Sequence, residues 1–484
     1  MTTDHTVAST NEIGTASEVV LTAAIGIEKR TIRKLQLRLL PFLLLLYVVA
    51  FIDRINIGFA ALTMNKDMGL NSQQFGFAAG IFFFGYFLFE VPSNLLLHKI
   101  GARVWITRIL ITWGILATLT GFVHSVHQLY AVRFLLGLAE AGYFPGIVLY
   151  LTYWFRQREQ AQAVALFLTG LPITSIVGAP LSGLILDHAH WLGVSSWRWL
   201  LILEGLPAIV CGLVTLFVLP SRPADAKFLT PAEKEWLRTD LLREEQQKLN
   251  QRQYSILQTL SNGRVWYLSA VCFGVLIGTY ILSFWTPQLL QSLSGQYSNT
   301  RVGFLITIPH LVGLVAMVLV SRSSDRRLER RYHTAVPAFV GGVALLLMGV
   351  SHSPFFLVAC LSLLAAGVYS FVPPFWTIPN EFLTGFAAAA GIGLINSVGA
   401  LSGFVGPYAV GVMSGWTGGI YRGLALAGIP LLLAAAFLLL LPRKACGADL
   451  SPEPSTDHLF RQAALKHKVR APASSVPVKP FANI

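Results

Sequence analysis

The chain of 484 residues is 54% hydrophobic, and only 12% of its residues are charged. Soluble domains carry about 25% charged residues, so this chain has too few to cover a water-facing surface. A net charge of +13 would suggest nucleic-acid binding in a soluble protein. Here the lysines and arginines stand in short runs between apolar blocks, which is the pattern that orients membrane spans and argues against a nucleic-acid partner.

Long apolar blocks are the main feature of the sequence. A bilayer core of about 30 Å needs roughly 20 residues per helix, and twelve blocks reach that length. Numbered one to twelve in chain order, the predicted spans are 36–62, 73–97, 104–123, 127–150, 160–186, 197–219, 264–290, 301–320, 333–351, 354–379, 386–413 and 420–441. The sequence therefore predicts an all-α membrane protein with twelve transmembrane helices.

One long polar stretch divides the spans six and six, which predicts two six-helix halves joined by a linker. The predicted segments are a disordered tail at 1–35, a first bundle at 36–219, a central loop at 220–263, a second bundle at 264–441 and a disordered tail at 442–484. The first tail contains no cleavable signal pattern.

The basic residues are distributed unevenly between the loops. They cluster before span one, between spans two and three, four and five, and eight and nine, in the central loop, and after span twelve. The intervening loops are nearly bare, and several hold histidines instead. The positive-inside rule predicts that both termini and the central loop are cytoplasmic. We expect a multi-pass membrane protein.

Charged residues inside apolar spans are expensive, so each of them is a candidate for function. The inventory is Asp53 and Arg54 in span one, Glu90 in span two, Arg133 and Glu140 in span four, and Glu204 in span six. We interpret Glu90 and Glu204 as structural acids that help the helices to pack.

Arg54 lies too deep in span one for its guanidinium to reach water easily. A permanent cation at that depth needs an anion, and its planar fork fits a carboxylate in a bidentate manner. The sequence favours an Arg54 that faces a substrate anion. An intramolecular salt bridge to a neighbouring carboxylate remains the alternative.

The remaining charged residues of spans one and four suggest proton coupling. Asp53 projects about 100° away from Arg54 around the helix, and a desolvated carboxyl group can be neutral in one conformation and ionised in another. Arg133 and Glu140 are seven residues apart, about 10 Å along one helix face. Arg133 could therefore exchange partners between Asp53 and Glu140. The alternative is a buried ion pair that only holds helices together.

No sequence pattern indicates an enzyme, a metal site or a cofactor. The four cysteines (Cys211, Cys272, Cys360 and Cys446) include no CxxC pair, so neither a disulfide framework nor a metal site is expected. No nucleophile elbow or phosphate loop occurs in a credible context.

Five segments carry a resemblance to a known family. They are Phe-Ile-Asp-Arg-Ile-Asn-Ile-Gly (51–58), Gly-Tyr-Phe-Leu-Phe-Glu-Val-Pro-Ser-Asn (85–94), Arg-Phe-Leu-Leu-Gly-Leu-Ala-Glu-Ala-Gly-Tyr-Phe-Pro-Gly (133–146), Ser-Asp-Arg-Arg (324–327) and Ile-Asn-Ser-Val-Gly (395–399). With these motifs the chain resembles the major facilitator superfamily, and within it the anion:cation symporters. The resemblance covers all twelve spans, and the segment 133–146 is its most specific part.

The resemblance implies the major facilitator fold and proton-coupled uptake of organic anions by alternating access. Its members include permeases for tartrate, phthalate and hydroxyphenylacetate, and monomers are usual. The family's residues for substrate binding match Arg54, Tyr86, Trp376 and Asn396, and those for proton coupling match Asp53, Arg133 and Glu140.

The leading hypothesis is thus a symporter whose partners are protons, a small organic anion (a mono- or dicarboxylate) and the lipid bilayer. One alternative is an efflux pump or facilitator for a neutral or cationic compound on the same fold. A membrane sensor that binds without transport is a more remote alternative. The identity of the carboxylate does not follow from the sequence.

Overall fold

The computed structural model describes residues 7–249, 260–293, 297–351, 353–379 and 385–441, and the regular structure within them is entirely helical. Among these residues, eleven helices are long and apolar enough to cross a membrane. The remaining predicted span, span nine, is the 17-residue helix Arg331–Leu347, about 26 Å long at 1.5 Å per residue. The all-helical fold predicted from the sequence is confirmed.

The helices follow the predicted spans closely, with breaks in four of them. Their bounds, span by span, are Val7–Asp67; Ser72–Ile100; Ala102–Thr120; Val126–Glu140 and Tyr143–Thr152; Gln157–Leu168 and Gly170–His188; Ser196–Val218; Gly263–Phe284 and Thr286–Ser292; Asn299–Arg327; Arg331–Leu347; Pro354–Thr377; Gly385–Thr417; and Ile420–Leu426 and Gly428–Leu440. A further helix, Pro231–Leu249, lies in the central loop.

The first helix begins at Val7, so the predicted disordered tail at 1–35 is helical from that residue onward. The physical reason is that the segment contains no proline before Pro41, and nothing therefore forces the helix of span one to start later. The predicted C-terminal tail, 442–484, lies outside the described residues.

The break in span four has a local cause. Gly142 adopts φ 85° and ψ 0°, a left-handed conformation that glycine adopts without steric cost. Pro145 has no N–H to donate to the carbonyl of Ala141, so a continuous helix would lose that hydrogen bond. As a result, the first helical segment of span four ends at Glu140.

Ion pairs tie several segments together at one face of the bundle, which we call the loop face because it carries the central loop. Arg156 forms salt bridges with Glu28 (2.7 Å), Glu159 (2.6 Å) and Asp240 (2.9 Å). These acids belong to the first helix, to the start of span five and to the helix of the central loop. The central loop is therefore docked on the first bundle.

The two halves meet closely at the opposite face. Span one packs against span seven, two against eleven, and five against eight. The contact is close enough that a Cβ atom on Gly58 would lie 2.8 Å from the carbonyl oxygen of Ser283. We call this inter-half contact the seam, and three pairs of hydrogen-bonded residues define it: Asn65–Gln288 (3.1 Å), Gln73–Tyr408 (3.3 Å) and Asp187–Thr300 (2.8 Å). In this conformation the seam is closed.

Candidate functional site

Arg54 and Glu140 form an ion pair inside the first half. An Nη atom of Arg54 donates a hydrogen bond to Oε1 of Glu140, and their side chains keep only 13% and 2% of their exposure. The break after Glu140 ends the helix at that residue and leaves its carboxyl group beside span one. The intramolecular salt bridge that the sequence left open as an alternative for Arg54 is thus formed in this conformation.

Aromatic rings surround the guanidinium of Arg54. Its Cζ atom lies 4.7–6.0 Å from four ring centroids, which belong to Phe51, Phe82, Phe83 and Tyr86. Phe51 is one helical turn before Arg54, while the other three rings come from span two. The faces of aromatic rings attract cations, so the rings stabilise a guanidinium that has little access to water. The predicted substrate residue Tyr86 is buried among them.

Arg133 is buried completely and does not pair with either predicted acid. Its Nε and Nη2 atoms lie 3.3 Å and 3.5 Å from the carbonyl oxygens of Ala78 and Ala79 in span two. Its Cζ atom lies 5.1 Å from the ring of Phe82, which also faces Arg54. The ring of Phe82 therefore lies near both guanidinium groups.

Asp53 is 1% exposed and lies within electrostatic range of Arg133 without a hydrogen bond to it. Its Oδ1 atom accepts a long hydrogen bond (3.4 Å) from Asn56, one turn further along span one. Its Oδ2 atom has no hydrogen-bond partner. The structure thus brings Asp53 and Arg133 near each other but leaves exchange of Arg133 between Asp53 and Glu140 a prediction.

Glu90 connects the two halves. Its Oε1 atom accepts a hydrogen bond from Asn396 (2.8 Å) and its Oε2 atom one from Ser397 (2.5 Å), both on span eleven. The predicted substrate residue Asn396 is thereby held by an acid of the other half. The sequence-based interpretation of Glu90 as a structural acid does not name this partner, because nothing in the sequence shows which span it faces.

Trp376 lies in span ten, partly exposed, with its ring 5.5 Å from that of Phe375. It contributes no ring to the group around Arg54. The structure therefore brings Arg54, Tyr86 and Glu140 together at one group of rings. Asn396 contacts Glu90 instead, and Trp376 lies on a separate element of the second half.

Sequence reasoning missed one buried ionisable residue. His310, in span eight, is 1% exposed, and its Nδ1 atom lies 2.9 Å from the carbonyl oxygen of Ile306. Its Nε2 atom has no partner. The signal was available, because a histidine inside an apolar block belongs in the same inventory as the buried acids. Among the described residues, no group of three histidines, cysteines or acids could hold a metal ion.

Comparison with known proteins places this arrangement in a family. The family model described as "Major Facilitator Superfamily" matches residues 43–407. The chain belongs to the major facilitator superfamily. The resemblance predicted from the motifs is confirmed, and the protein is a membrane transporter of small organic compounds rather than an enzyme.

Two curated relatives cover nearly the whole protein. The chain is 44% identical to a protein of Agrobacterium vitis named "Putative tartrate transporter", over 87% of this chain and 96% of the relative. It is 39% identical to the "Quinolone resistance transporter" of Acinetobacter baumannii, over 84% of this chain and 93% of the relative. Relatives at similar identity thus carry names of different transport activities.

A solved structure agrees on the fold. The crystal structure of a D-xylose–proton symporter superposes with a TM-score of 0.69 at 13% identity, covering 85% of this chain and 99% of the symporter. At that identity the likeness concerns the fold alone.

Proposed function

We propose that this transporter carries a small organic anion, a mono- or dicarboxylate, into the cell together with protons. The observation that carries the proposal is the ion pair between Arg54 and Glu140 inside the aromatic group. The pair uses one oxygen of Glu140, while the Nε atom of Arg54 and the second carboxyl oxygen of Glu140 have no partner. A substrate carboxylate offers the same chemistry as Glu140 and can take its place.

Competition for Arg54 couples the anion to a proton. An ionised Glu140 holds the guanidinium, whereas a protonated Glu140 has no charge to hold it and leaves the fork free for a substrate. A substrate carboxylate that binds Arg54 leaves Glu140 without its cation. An ionised Glu140 would then be a buried and unpaired charge, which is costly, so substrate entry favours protonation of Glu140. Binding of the anion and binding of the proton therefore support each other.

The charge balance of the first half also supports proton binding. Three guanidinium groups stand among four buried carboxyl groups inside the spans, so full ionisation would leave an excess of one negative charge. The groups are Arg54, Arg133 and the partly buried Arg108, and Asp53, Glu90, Glu140 and Glu204. Unpaired charges are expensive in a membrane interior, and protons are the simplest neutralising cations.

Coupling to protons makes anion uptake favourable. An anion that enters a cell with a negative interior works against about 2.3 kcal/mol per charge per 100 mV. Co-transport of more protons than the substrate has charges reverses that sign. The orientation that suits uptake places the loop face and both termini in the cytoplasm, so that the seam opens to the outside. A monomer in the bacterial inner membrane suffices.

The experiment is uptake of labelled carboxylates, including tartrate, by liposomes that contain the purified protein. We expect an inward proton gradient to drive accumulation of one acid. Arg54→Ala should reduce this uptake about 10- to 100-fold, because a hydrogen bond to a charged group contributes about 1.5–3 kcal/mol. Arg422→Ala, at an exposed arginine of the second half, is the matched control and should transport normally.

Absence of carboxylate uptake under every gradient, with protein that is folded, would overturn the proposal. Unchanged uptake in Arg54→Ala would overturn the role of the arginine.

The relative named for quinolone resistance supports a second candidate, export of a neutral or cationic compound. The same liposomes distinguish the two directions. The second candidate would be favoured by export of a compound without a carboxylate under a reversed proton gradient. Arg54→Ala should then leave this export unaffected. Arg54 argues against a cationic substrate because it would repel a cation at the centre of the first half.

A further inference from the structure

A group of polar side chains lies buried between spans one, five and six, beside the ion pair of Arg54. Ser182 donates a hydrogen bond of 2.7 Å to Oε1 of Glu204. Asn56 approaches the same carboxyl group and also donates to Asp53 at 3.4 Å. Each of these four side chains is at least 97% buried. We call them the acid group.

Two carboxyl oxygens of the acid group have no partner. They are Oε2 of Glu204 and Oδ2 of Asp53. Buried polar atoms are hydrogen-bonded in the great majority of cases, so two orphan oxygens in adjacent acids call for an explanation. The sequence-based interpretation of Glu204 as a packing acid does not provide one, since a packing role would be served without a carboxyl group.

The charged surroundings of Glu204 are one-sided among the described residues. Asp53, on span one, is the ionisable group within its electrostatic range, and Ser182 of span five, which donates a hydrogen bond to Glu204, is neutral. Arg133 acts on Asp53 but directs its hydrogen bonds to backbone carbonyls. Two ionised carboxylates at this place would repel each other and lack a paired cation, which is highly unfavourable in a buried site.

Within the acid group, Glu204 lies nearer than Asp53 to the seam-side end of the bundle. Glu204 is eight residues after Ser196, the first residue of span six, and so about 12 Å from the seam-side end of the span. Asp53 is fourteen residues before Asp67, the last residue of span one, and so about 21 Å from that end. A proton that enters when the seam opens would reach Glu204 before Asp53.

We propose that Glu204 and Asp53 bind protons as one unit, with Asn56 and Ser182 holding them in place, and that the unit keeps at least one proton while the seam is closed. When the seam opens, an O–H bond forms on Glu204 by uptake of a proton from water at that face. The proton can then move to Oδ2 of Asp53 through a water molecule, and Glu204 becomes ready for another. This inference rests on the proposed proton coupling and adds Glu204 to it.

The first test needs no transport. Infrared difference spectra of the reconstituted wild type at neutral pH should contain a carboxylic-acid C=O band, which an ionised carboxylate lacks. Glu204→Gln should remove or shift most of this band, and Glu204→Gln combined with Asp53→Asn should abolish the part that remains. Glu235→Gln, at an exposed acid of the central helix, is the matched control and should leave the band unchanged. A band that is identical in wild type and Glu204→Gln would overturn the inference.

The second test is proton-coupled uptake, with proton flux and substrate flux measured together. Glu204→Gln should lower the number of protons per substrate and flatten the dependence of uptake on external pH. Ser182→Ala, which keeps the acid and removes one hydrogen bond, should shift the pH profile without flattening it. Normal stoichiometry and a normal pH profile in Glu204→Gln would contradict the inference while leaving the proposed function intact. An infrared band that depends on Glu204, in a protein without carboxylate uptake, would contradict the proposed function while leaving the protonated acid group intact.

Discussion

Two kinds of contact hold the side chain of Arg54 inside the first half. Four aromatic rings and one carboxylate contact its guanidinium, and the attraction to the rings does not require an ionised carboxylate. A cation near a ring face gains roughly 0.5–2 kcal/mol, which is less than an ion pair but independent of protonation. In the proposed exchange of Glu140 for a substrate, the rings would therefore keep Arg54 in position.

Arg156 is the residue whose replacement should cost the most stability at the loop face. The hydrogen bonds that it donates to Glu159, and then those to Glu28 and Asp240, outweigh partial burial and hold the pKa of the guanidinium above its usual value. We expect Arg156→Gln to lower the free energy of unfolding by about 2 kcal/mol, since three acids lose a charged donor. Denaturation in mixed micelles measures this loss.

Arg238 provides the control for this prediction. It pairs with Glu235 at 2.9 Å, but both side chains are about two-thirds exposed. Exposed pairs of this kind contribute little because water and salt screen them. Arg238→Gln should therefore unfold like the wild type. Equal free energies of unfolding for Arg156→Gln and Arg238→Gln would mean that the network around Arg156 does not stabilise the docked central loop.

The sequence predicted which residues are charged inside the spans, but it could not predict how they pair. Arg54, Glu140, Asp53 and Arg133 were singled out by the cost of burying charge, which depends on position in the sequence alone. Their partners depend on how spans one, two and four pack against each other. Arg133 finds the carbonyl oxygens of Ala78 and Ala79 in another helix, and no spacing within span four reveals that contact.

At the scale of helices, the seam is held by a carboxylate at a helix N-terminus. Asp187, near the end of span five, accepts hydrogen bonds from the backbone N–H groups of Asn299 (3.1 Å) and Thr300 (2.8 Å). It also accepts one from the side chain of Asn299 (2.7 Å). The first N–H groups of a helix lack partners within the helix and carry partial positive charge. Asp187 thereby ties the first half to the start of span eight.

We expect Asp187→Asn to weaken the closed seam and to shift the population toward the conformation with an open seam by about fivefold. The reason is that the neutral amide loses the charge that favours the helix N-terminus, about 1 kcal/mol. Spin labels at His190 and Trp416, exposed residues of the two halves near this face, should then show longer distances.

Asp67→Asn is the matched variant at the same face. Asp67 accepts hydrogen bonds from Ser195 (3.0 Å) and Trp197 (2.8 Å), and all three residues belong to the first half. This variant should leave the distances between the halves unchanged. A distance distribution in Asp187→Asn that coincides with the wild type would exclude a role of Asp187 in closing the seam.

Breaks within helices were harder to predict than the helices themselves. The apolar block 127–150 reads as one span, and its length alone predicts one helix. Gly142 and Pro145 permit a bend in this block, yet the sequence does not state that the helix ends at Glu140. Tertiary packing decides whether such a pair bends or breaks a helix, because neighbouring spans can satisfy the freed backbone groups.

At the scale of the whole molecule, the basic residues and the ion pairs agree on one face. Lys34 contacts Glu233 of the central helix at 2.8 Å, and Arg156 binds Asp240 of the same helix. The start of span one, the connection between spans four and five, and the central loop therefore share the loop face, as the charge pattern predicts. Which side of the membrane this face meets is a separate matter that depends on insertion.

Reactivity of single cysteines can decide the orientation. In a variant without the four native cysteines, Lys227→Cys would place a thiol at an exposed site of the central loop and His190→Cys one at an exposed site beyond span five. We expect a membrane-impermeant maleimide to label His190→Cys in intact cells, and Lys227→Cys only after permeabilisation. The reason is that loops rich in lysine and arginine remain on the cytoplasmic side.

The reverse labelling pattern would contradict both the orientation and the direction of transport. With the loop face outside, the closed seam would meet the cytoplasm, and Glu204 would take up its protons there. A proton gradient directed into the cell would then act at the loop face. Labelling of Lys227→Cys in intact cells would therefore also require a different order of proton and substrate binding.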